Sequence, residues 1–364
     1  MPPVPVYCWP VSRASAYVPL LFAGITDRYE PRYREDASLD DALAARHAGR
    51  RAIVHVHWEE FVLRDCTTEA AADAAADAFA ERIAALRARA TPIVWTVHNE
   101  LPHEIRFHHA FLRMRAMLAD AADVILVHNA ASIDVLARQV TLHRAKVVTL
   151  DHPSYLGRME DDGALRAGRE TPPQHWVQGF GWIRRQKGFG AMIDALPLAF
   201  LQERGLAIRI SGAGDEAAAV IAERAARTDV VWDVRHVPDA EVPSLLRAAT
   251  CVVLPYERVL TSGVALLAMS VGAMIVGVDI PQFRDVLPPA SQRFLYAAGD
   301  GADLRRAIVA VRALLPSERR AIVDEHLRIA ERVRPEIIAG RLAAIYDAVL
   351  ATSAGTGRAC RQSR

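Results

Sequence analysis

The sequence predicts an α/β chain of two doubly wound domains, and three observations predict it. Short runs rich in Val and Ile alternate with longer Ala-, Leu- and Arg-rich segments of helical period, the pattern of parallel strands covered by helices. The alternation stops after Tyr155, where residues 157–173 are polar, charged and closed by Thr171-Pro172-Pro173. It then begins again. At 364 residues the chain also exceeds one ordinary hydrophobic core, so two domains are expected on size, with one large barrel as the alternative.

Each element follows in order from its residues. In the first half, strands are expected at Val4 to Trp9, Ala52 to His57, Pro92 to His98, Val124 to His128 and Lys146 to Leu150. Helices are expected at Tyr17 to Gly24, Glu69 to Ala88, Ile105 to Ala121 and Ala131 to Arg138. In the second half the strands fall at Trp176 to Phe180, Ala207 to Ser211, Val230 to Asp233, Cys251 to Pro255 and Met274 to Val278. Gly190 to Glu203, Glu216 to Arg227, Glu241 to Ala249, Gly263 to Val271 and Asp303 to Leu315 supply helices, followed by Ser317 to Val333 and Pro335 to Leu350. The expected boundaries are a first domain at 1–156, a linker at 157–173, a second domain at 174–350 and a disordered tail at 351–364.

Composition narrows the function classes. Hydrophobic residues at 52% and charged residues at 24% describe a globular chain, and a formal charge of +1 gives no global attraction for nucleic acid. Four cysteines without paired spacing suggest neither a zinc framework nor disulfides, which fits a cytoplasmic protein. The amino-terminal residues lack the pattern of a signal peptide, and no uncharged run reaches membrane-spanning length. No Gly-x-Gly-x-x-Gly follows the first strand, which argues against an oxidoreductase.

The second half carries the strongest motif, Gly179-Phe-Gly181-Trp-Ile-Arg184-Arg-Gln-Lys187-Gly-Phe-Gly190, between a strand and a helix. Glycines admit a phosphate close to the backbone, and Arg184 and Lys187 can neutralise a diphosphate. Leu254-Pro-Tyr256-Glu-Arg-Val-Leu-Thr-Ser262-Gly263-Val264 leads from a strand end into an apolar helix, so amides near Ser262, Gly263 and Val264 form an anion-attracting helix terminus, with Tyr256 beside it. A plain Ser N-cap would read the same way. Ser211-Gly-Ala-Gly-Asp215 is expected to be a loop of the same cleft.

In the first half, three strand ends carry polar sets: His55-Val-His57-Trp58-Glu-Glu60, then Thr96-Val-His98-Asn99-Glu-Leu-Pro-His103-Glu104, then His128-Asn129. Ligands of open α/β sheets bind beyond the carboxyl ends of strands. Glu60, His98 and Glu104 are candidate proton acceptors, with His57, Trp58, Asn99, His103 and His128 on the side of an acceptor substrate. His55 and His57 share a strand face, and a metal there is the rival reading, although no metal is expected. The stretch from Ile105 to Leu118 sets Arg106, Arg113 and Arg115 among bulky apolar residues, which could rest on anionic lipid headgroups or be an ordinary solvated face.

On these blocks the chain resembles glycosyltransferases of the GT-B fold, with two facing Rossmann-like domains and an interdomain cleft. Within them it is more similar to the β-mannosyltransferases of xanthan-type bacterial exopolysaccharide assembly. Carrying the likeness are His55-x-His57-Trp58-x-Glu60, Thr96-x-His98-Asn99, Pro102-His103-Glu104, Gly181-x-Ile183-Arg184-x-x-Lys187-Gly188 and Val253-Leu254-Pro255-Tyr256 with Ser262-Gly263. The resemblance implies a GDP-mannose donor held by the second domain, a polyprenyl-diphosphate oligosaccharide or other glycan acceptor, and inversion at the anomeric carbon. It further implies no metal or other cofactor, and a cytoplasmic enzyme that touches the membrane peripherally. The chain departs from the wider superfamily at Val259 and Leu267, where paired glutamates are usual, and at Trp182, where an arginine is usual, so the phosphate role falls to Arg184 and Lys187. A sugar-nucleotide epimerase or hydrolase on the same fold, and an inactive regulatory subunit, are the alternatives.

Overall fold

The computed structural model describes residues 2–11, 15–33, 38–101, 106–168, 173–256 and 258–362, the side chains of 166–167 and 354–362 excepted. The chain divides into two compact units, Met1–Pro153 with Pro335–Arg364, and Ser154–Arg334.

The first unit holds strands β1 (Val4–Trp9), β2 (Tyr29–Arg32), β3 (Ile53–Val56), β4 (Ile93–Thr96), β5 (Val124–Val127) and β6 (Val147–Thr149). They form one sheet in the order β2-β1-β3-β4-β5-β6, with every neighbouring pair parallel. Central β3 and β4 are buried at every residue, as apolar strands covered on both faces must be. At the edge, β2 tolerates Pro31 because an outer strand has one side with no ladder to complete. That proline, among charged neighbours, is why no strand is legible there from sequence. The first crossover runs outward from β1 and the next returns past it, so the topological switch lies between β1 and β3.

The second unit repeats the plan with β7 (Trp176–Phe180), β8 (Ala207–Ser211), β9 (Val230–Asp233), β10 (Cys251–Leu254), β11 (Ile275–Val278) and β12 (Leu295–Tyr296). Their order is β12-β11-β10-β7-β8-β9, again parallel, with the switch between β7 and β10. One apolar cluster packs around Val177, Ile208, Val253 and Val276, and a second around Leu254, Met269 and Ile275. The segment read as one helix from Gly190 to Glu203 is two, Phe189–Ala195 and Leu198–Arg204, because Pro197 cannot continue the first.

Three boundary expectations are corrected. The final helix, Pro335–Gln362, belongs to the first unit and not to a second domain reaching 350. Its Tyr346 ring lies 5.0 Å from that of Tyr29, its Asp347 pairs with Arg28 at 2.7 Å, and its Arg341 pairs with Asp151 at 3.0 Å. Periodicity marks that helix as amphipathic but says nothing about which sheet it covers. The expected linker falls within the second unit: Asp162–Gly168 is helical and Leu165 is in the core, which Leu156, expected in the first domain, also joins. The expected disordered tail stays helical to Gln362, since extending a formed helix needs no new nucleus.

Gly212 brings two loops of the second unit together. Its φ is +152°, and a Cβ there would stand 1.8 Å from the Gly181 carbonyl oxygen. The loops are joined by Gly181 N–H donating to the Ser211 carbonyl at 3.1 Å and Ile183 N–H donating to that of Ala213 at 2.8 Å. Gly212→Ala is therefore expected to lower the stability of this unit by about 2 to 4 kcal/mol, as read by urea unfolding. Gly49→Ala, at a φ of +71° with open space around it, is the control and should cost about 1 kcal/mol.

Candidate functional site

In the second unit, the loop after β7 and the loop after β10 meet at the switch point. Gly188, with φ +69°, closes the short 3-10 turn Arg185–Lys187, and a Cβ there would fall 2.3 Å from the Pro255 carbonyl oxygen. That close approach sets the Lys187 ammonium 4.4 Å from the centre of the Tyr256 ring. The Tyr256 hydroxyl in turn bonds Ser262 Oγ. Ser262 caps the helix Gly263–Ser270, its Oγ accepting from Ala265 N–H at 3.0 Å and its carbonyl from Leu266 N–H at 3.3 Å. Among the described residues nothing accepts from the amides of Gly263 and Val264. Gly181 lies against the same turn, where a Cβ would stand 3.2 Å from the Val264 side chain.

The cations here differ in availability. Arg184 is committed to Asp215, donating from Nε at 3.0 Å and from an Nη at 3.3 Å, while the exposed Trp182 donates its indole N–H to the same carboxylate at 3.1 Å. Lys187 has no carboxylate partner among the described residues. Burial, and then neighbouring Arg184, push its ammonium down to about 8. A desolvated cation beside two helix-terminus amides is an arrangement whose charge suits an anion.

In the first unit, register gathers the histidines. Val56 of β3 pairs Trp95 of β4, Thr96 pairs Leu126 of β5, and Val127 pairs Thr149 of β6. His57, His98, His128 and His152 therefore emerge at one sheet edge. All four surround Tyr17, with ring centroids 4.8 to 5.7 Å from its own. His98 lies flat on Trp58, 4.1 Å away at 10°. His57 Nδ1 and His98 Nε2 are 3.0 Å apart and share a proton. His128 and His152 donate from Nδ1 to the carbonyls of Leu150 and Pro153, at 2.8 and 2.7 Å. Burial holds His128 down to about 4 and His152 to about 3, and burial with neighbouring imidazoles holds His57 and His98 well below the usual range. These are neutral imidazoles.

The adjacent glutamates part ways. Glu59 is fully buried, accepting from Arg115 Nε at 2.8 Å and from the Trp95 indole at 3.2 Å. Arg115 also donates to the Glu100 carbonyl at 2.8 Å and to the Asn99 carbonyl, pinning the loop after β4. Glu60 accepts from the Asn99 side chain through Oε1, while its Oε2 is buried without a partner. Burial, reinforced by Glu59, pushes the Glu60 carboxyl up to about 7.

The structure thus brings together Glu60, His98, Asn99, His57, Trp58 and His128 in one unit, and Gly181, Lys187, Tyr256, Ser262, Gly263 and Val264 in the other, with Arg184 nearby but paired. His103 and Glu104 lie outside the described residues. Of the arginines set among apolar residues after β4, Arg115 is buried on Glu59, and Arg113 is paired with Asp73 and Asp77 at the surface. Cys8, His55 and His57 place ligand atoms within 4.8 Å of one another, yet both ring nitrogens of His55 are taken, at 2.7 Å, by the hydroxyls of Tyr346 and Thr96. That donor set suits a hydrogen-bonded core better than a metal. Sequence reading missed Tyr17, His152 and Asp215; His152 follows β6 as His128 follows β5, and that repeat was a usable signal.

The family described as glycosyl transferases group 1 matches residues 176–313. The chain is 27% identical over 278 residues to the GDP-mannose:glycolipid 4-beta-D-mannosyltransferase of Xanthomonas campestris pv. campestris, covering 73% of this chain and 70% of that one. Among solved structures it is similar to Anabaena HepE in complex with UDP, with a TM-score of 0.65 at 13% identity, over 95% of this chain and 100% of that one. It is also similar to the UDP-forming α,α-trehalose-phosphate synthase of Burkholderia vietnamiensis, with a TM-score of 0.62 at 13% identity, over 94% of this chain and 83% of that one. Two parallel six-stranded sheets, a glycosyl transferase domain on the second and mannosyltransferase relatives along most of its length make the chain a glycosyltransferase of the GT-B fold.

Proposed function

We propose that the chain moves mannose from GDP-mannose onto a hydroxyl of a lipid-linked glycan, with inversion, in bacterial exopolysaccharide synthesis. The observation that carries this reading is Lys187, an unopposed cation on Tyr256 beside the open amides of Gly263 and Val264. Mannose, guanosine and a glycolipid acceptor are taken from what the Xanthomonas relative is named for. In the reaction, the acceptor oxygen bonds the anomeric carbon as the bond to the diphosphate breaks, its proton passing to a basic side chain. The leaving diphosphate is met by Lys187 and the two amides, with no cofactor beyond the donor. The acceptor's lipid would place the work at the cytoplasmic face of a membrane; among the described residues no helix is long and apolar enough to cross one.

A thermal-shift panel of GDP-, UDP- and dTDP-sugars tests the donor, because a ligand bound at 100 times its Kd stabilises by about 2.7 kcal/mol. Stabilisation by GDP-mannose above the others, followed by mannosyl transfer to a polyprenyl-diphosphate oligosaccharide, is the expected result. Epimerised or hydrolysed donor in the absence of acceptor would move the chain to the alternative chemistry.

Lys187 also predicts the pH dependence of donor binding. A bound diphosphate raises the lysine above its free value of about 8, so binding takes up a proton once the free amine begins to lose its own. Affinity for GDP is expected to fall as pH rises from about 8 to about 10, by up to roughly tenfold per unit, as read by calorimetry. Lys187→Arg, charged throughout, should flatten that slope.

A further inference from the structure

We propose that His57 fixes the tautomer of His98, so that His98 offers an N–H to the acceptor oxygen and Glu60 takes the proton. The inference deepens the transferase reading and rests on it for the identity of the ligand. It starts from His57 Nε2, which is buried and has no hydrogen-bond partner. His57 Nδ1 and His98 Nε2, 3.0 Å apart, hold one proton between two neutral rings.

If that proton sat on His98, neutral His57 would carry its own on Nε2 and bury an unpaired N–H. If it sits on His57, the buried Nε2 is a bare lone pair. An unpaired N–H in a dry interior is the rarer and costlier outcome. The neighbouring ring shows the same choice under compulsion: the Leu150 carbonyl can only accept, so His128 is protonated on Nδ1 and its partnerless, buried Nε2 is a lone pair.

The consequence passes to His98. Its Nε2 is occupied as an acceptor, so its proton is on Nδ1, which has no partner among the described residues and belongs to a half-buried ring. Trp58 stacked at 4.1 Å and Tyr17 edge-on at 4.8 Å prevent the ring from turning over. His98 is then a donor at its open nitrogen and cannot take a proton there. Of the three proton acceptors named from sequence, Glu104 lies outside the described residues and Glu60 offers its unpartnered Oε2, on a side chain held by Asn99, the residue after His98. The proton leaves the acceptor hydroxyl for Glu60, and the electron pair of that oxygen forms the new bond to the anomeric carbon.

The test is a two-bond proton–nitrogen correlation spectrum of the full chain labelled with ¹⁵N-histidine, near pH 7.5. His98 signals are identified by their loss in His98→Asn. Nδ1 protonation in His98 and His57 is expected, and an Nε2–H signal from His98 overturns the proposal whether or not a substrate has been found. In the transfer assay His98→Asn, whose amide N–H stands near the lost Nδ1–H, should keep at least about a tenth of kcat, and Glu60→Gln should lose 100-fold or more. An Asn variant as inactive as Glu60→Gln also overturns it. His57→Leu should convert the His98 signal to a mixture of tautomers; should that variant not fold, the wild-type spectrum still decides. Absence of transfer from every donor tried would sink the transferase reading and leave the tautomer result standing.

Discussion

Lys187→Ala is expected to lower kcat for transfer from the nucleotide-sugar by about 10² to 10³-fold, the usual effect of removing one preorganised group from a developing oxyanion. The effect should fall on kcat more than on KM, because the charge on the departing diphosphate grows as the glycosidic bond breaks. The fold should survive. The ammonium rests on the Tyr256 ring, 4.4 Å from its centre, with no carboxylate among the described residues left unpaired by its removal. Urea unfolding of the variant should stay within about 0.5 kcal/mol of the parent. Kinetics unchanged from the parent would end the assignment of this turn to the leaving group. Arg184→Ala makes the contrast, since it breaks a pair with Asp215 that already neutralises both partners.

Acid should unfold the first unit early and steeply. Burial holds His55 and His152 to about 3 and His128 to about 4, and holds His57 and His98 well below the usual range, so in the folded state all five are neutral below pH 6.5, where the unfolded chain binds protons. Stability therefore falls as pH drops through about 6.5, by about 1.4 kcal/mol per pH unit for each group. Glu60 works in the opposite sense: its carboxyl is raised to about 7, so between that value and the ordinary carboxylate range the folded state binds the extra proton. The net slope is near four groups, about 5 kcal/mol per unit, against a total stability of roughly 5 to 15 kcal/mol. Loss of cooperative structure near pH 5 is expected. In the second unit His326, held to about 4 by burial, adds one group against the five of the first, so the second unit's hydrogen exchange should stay protected to lower pH. A His128→Gln, His152→Asn double variant should halve the slope. Unfolding of both units at one pH with an unchanged slope would show that these imidazoles do not set it.

Much of the fold could be read from local pattern, and the reason is visible in particular elements. Trp176–Phe180, Ala207–Ser211 and Val230–Asp233 form strands at the residues expected, because apolar runs bounded by turn residues announce buried strands in a parallel sheet. The polar residue types at three strand ends and the two glycine- and serine-bearing loops of the second unit were also legible, since glycine, lysine and a helix-capping serine carry local chemistry. Availability was not legible. Arg184, Lys187 and Arg115 look alike in sequence, yet Asp215 holds the first, Glu59 buries the third, and Lys187 alone of the three has no carboxylate partner among the described residues.

By itself, then, the sequence determined the succession of strands and helices, the two-sheet plan and the chemical types at each strand end, because side-chain period and turn chemistry act over a few residues. Only the tertiary structure decided which sheet the last helix joins, which cations are free, and that four imidazoles close around Tyr17. Those outcomes depend on contacts between distant positions, such as His55 with Tyr346, 291 residues apart, and Glu59 with Arg115, 56 apart. No local pattern records such pairings, because they form only when the whole chain has packed.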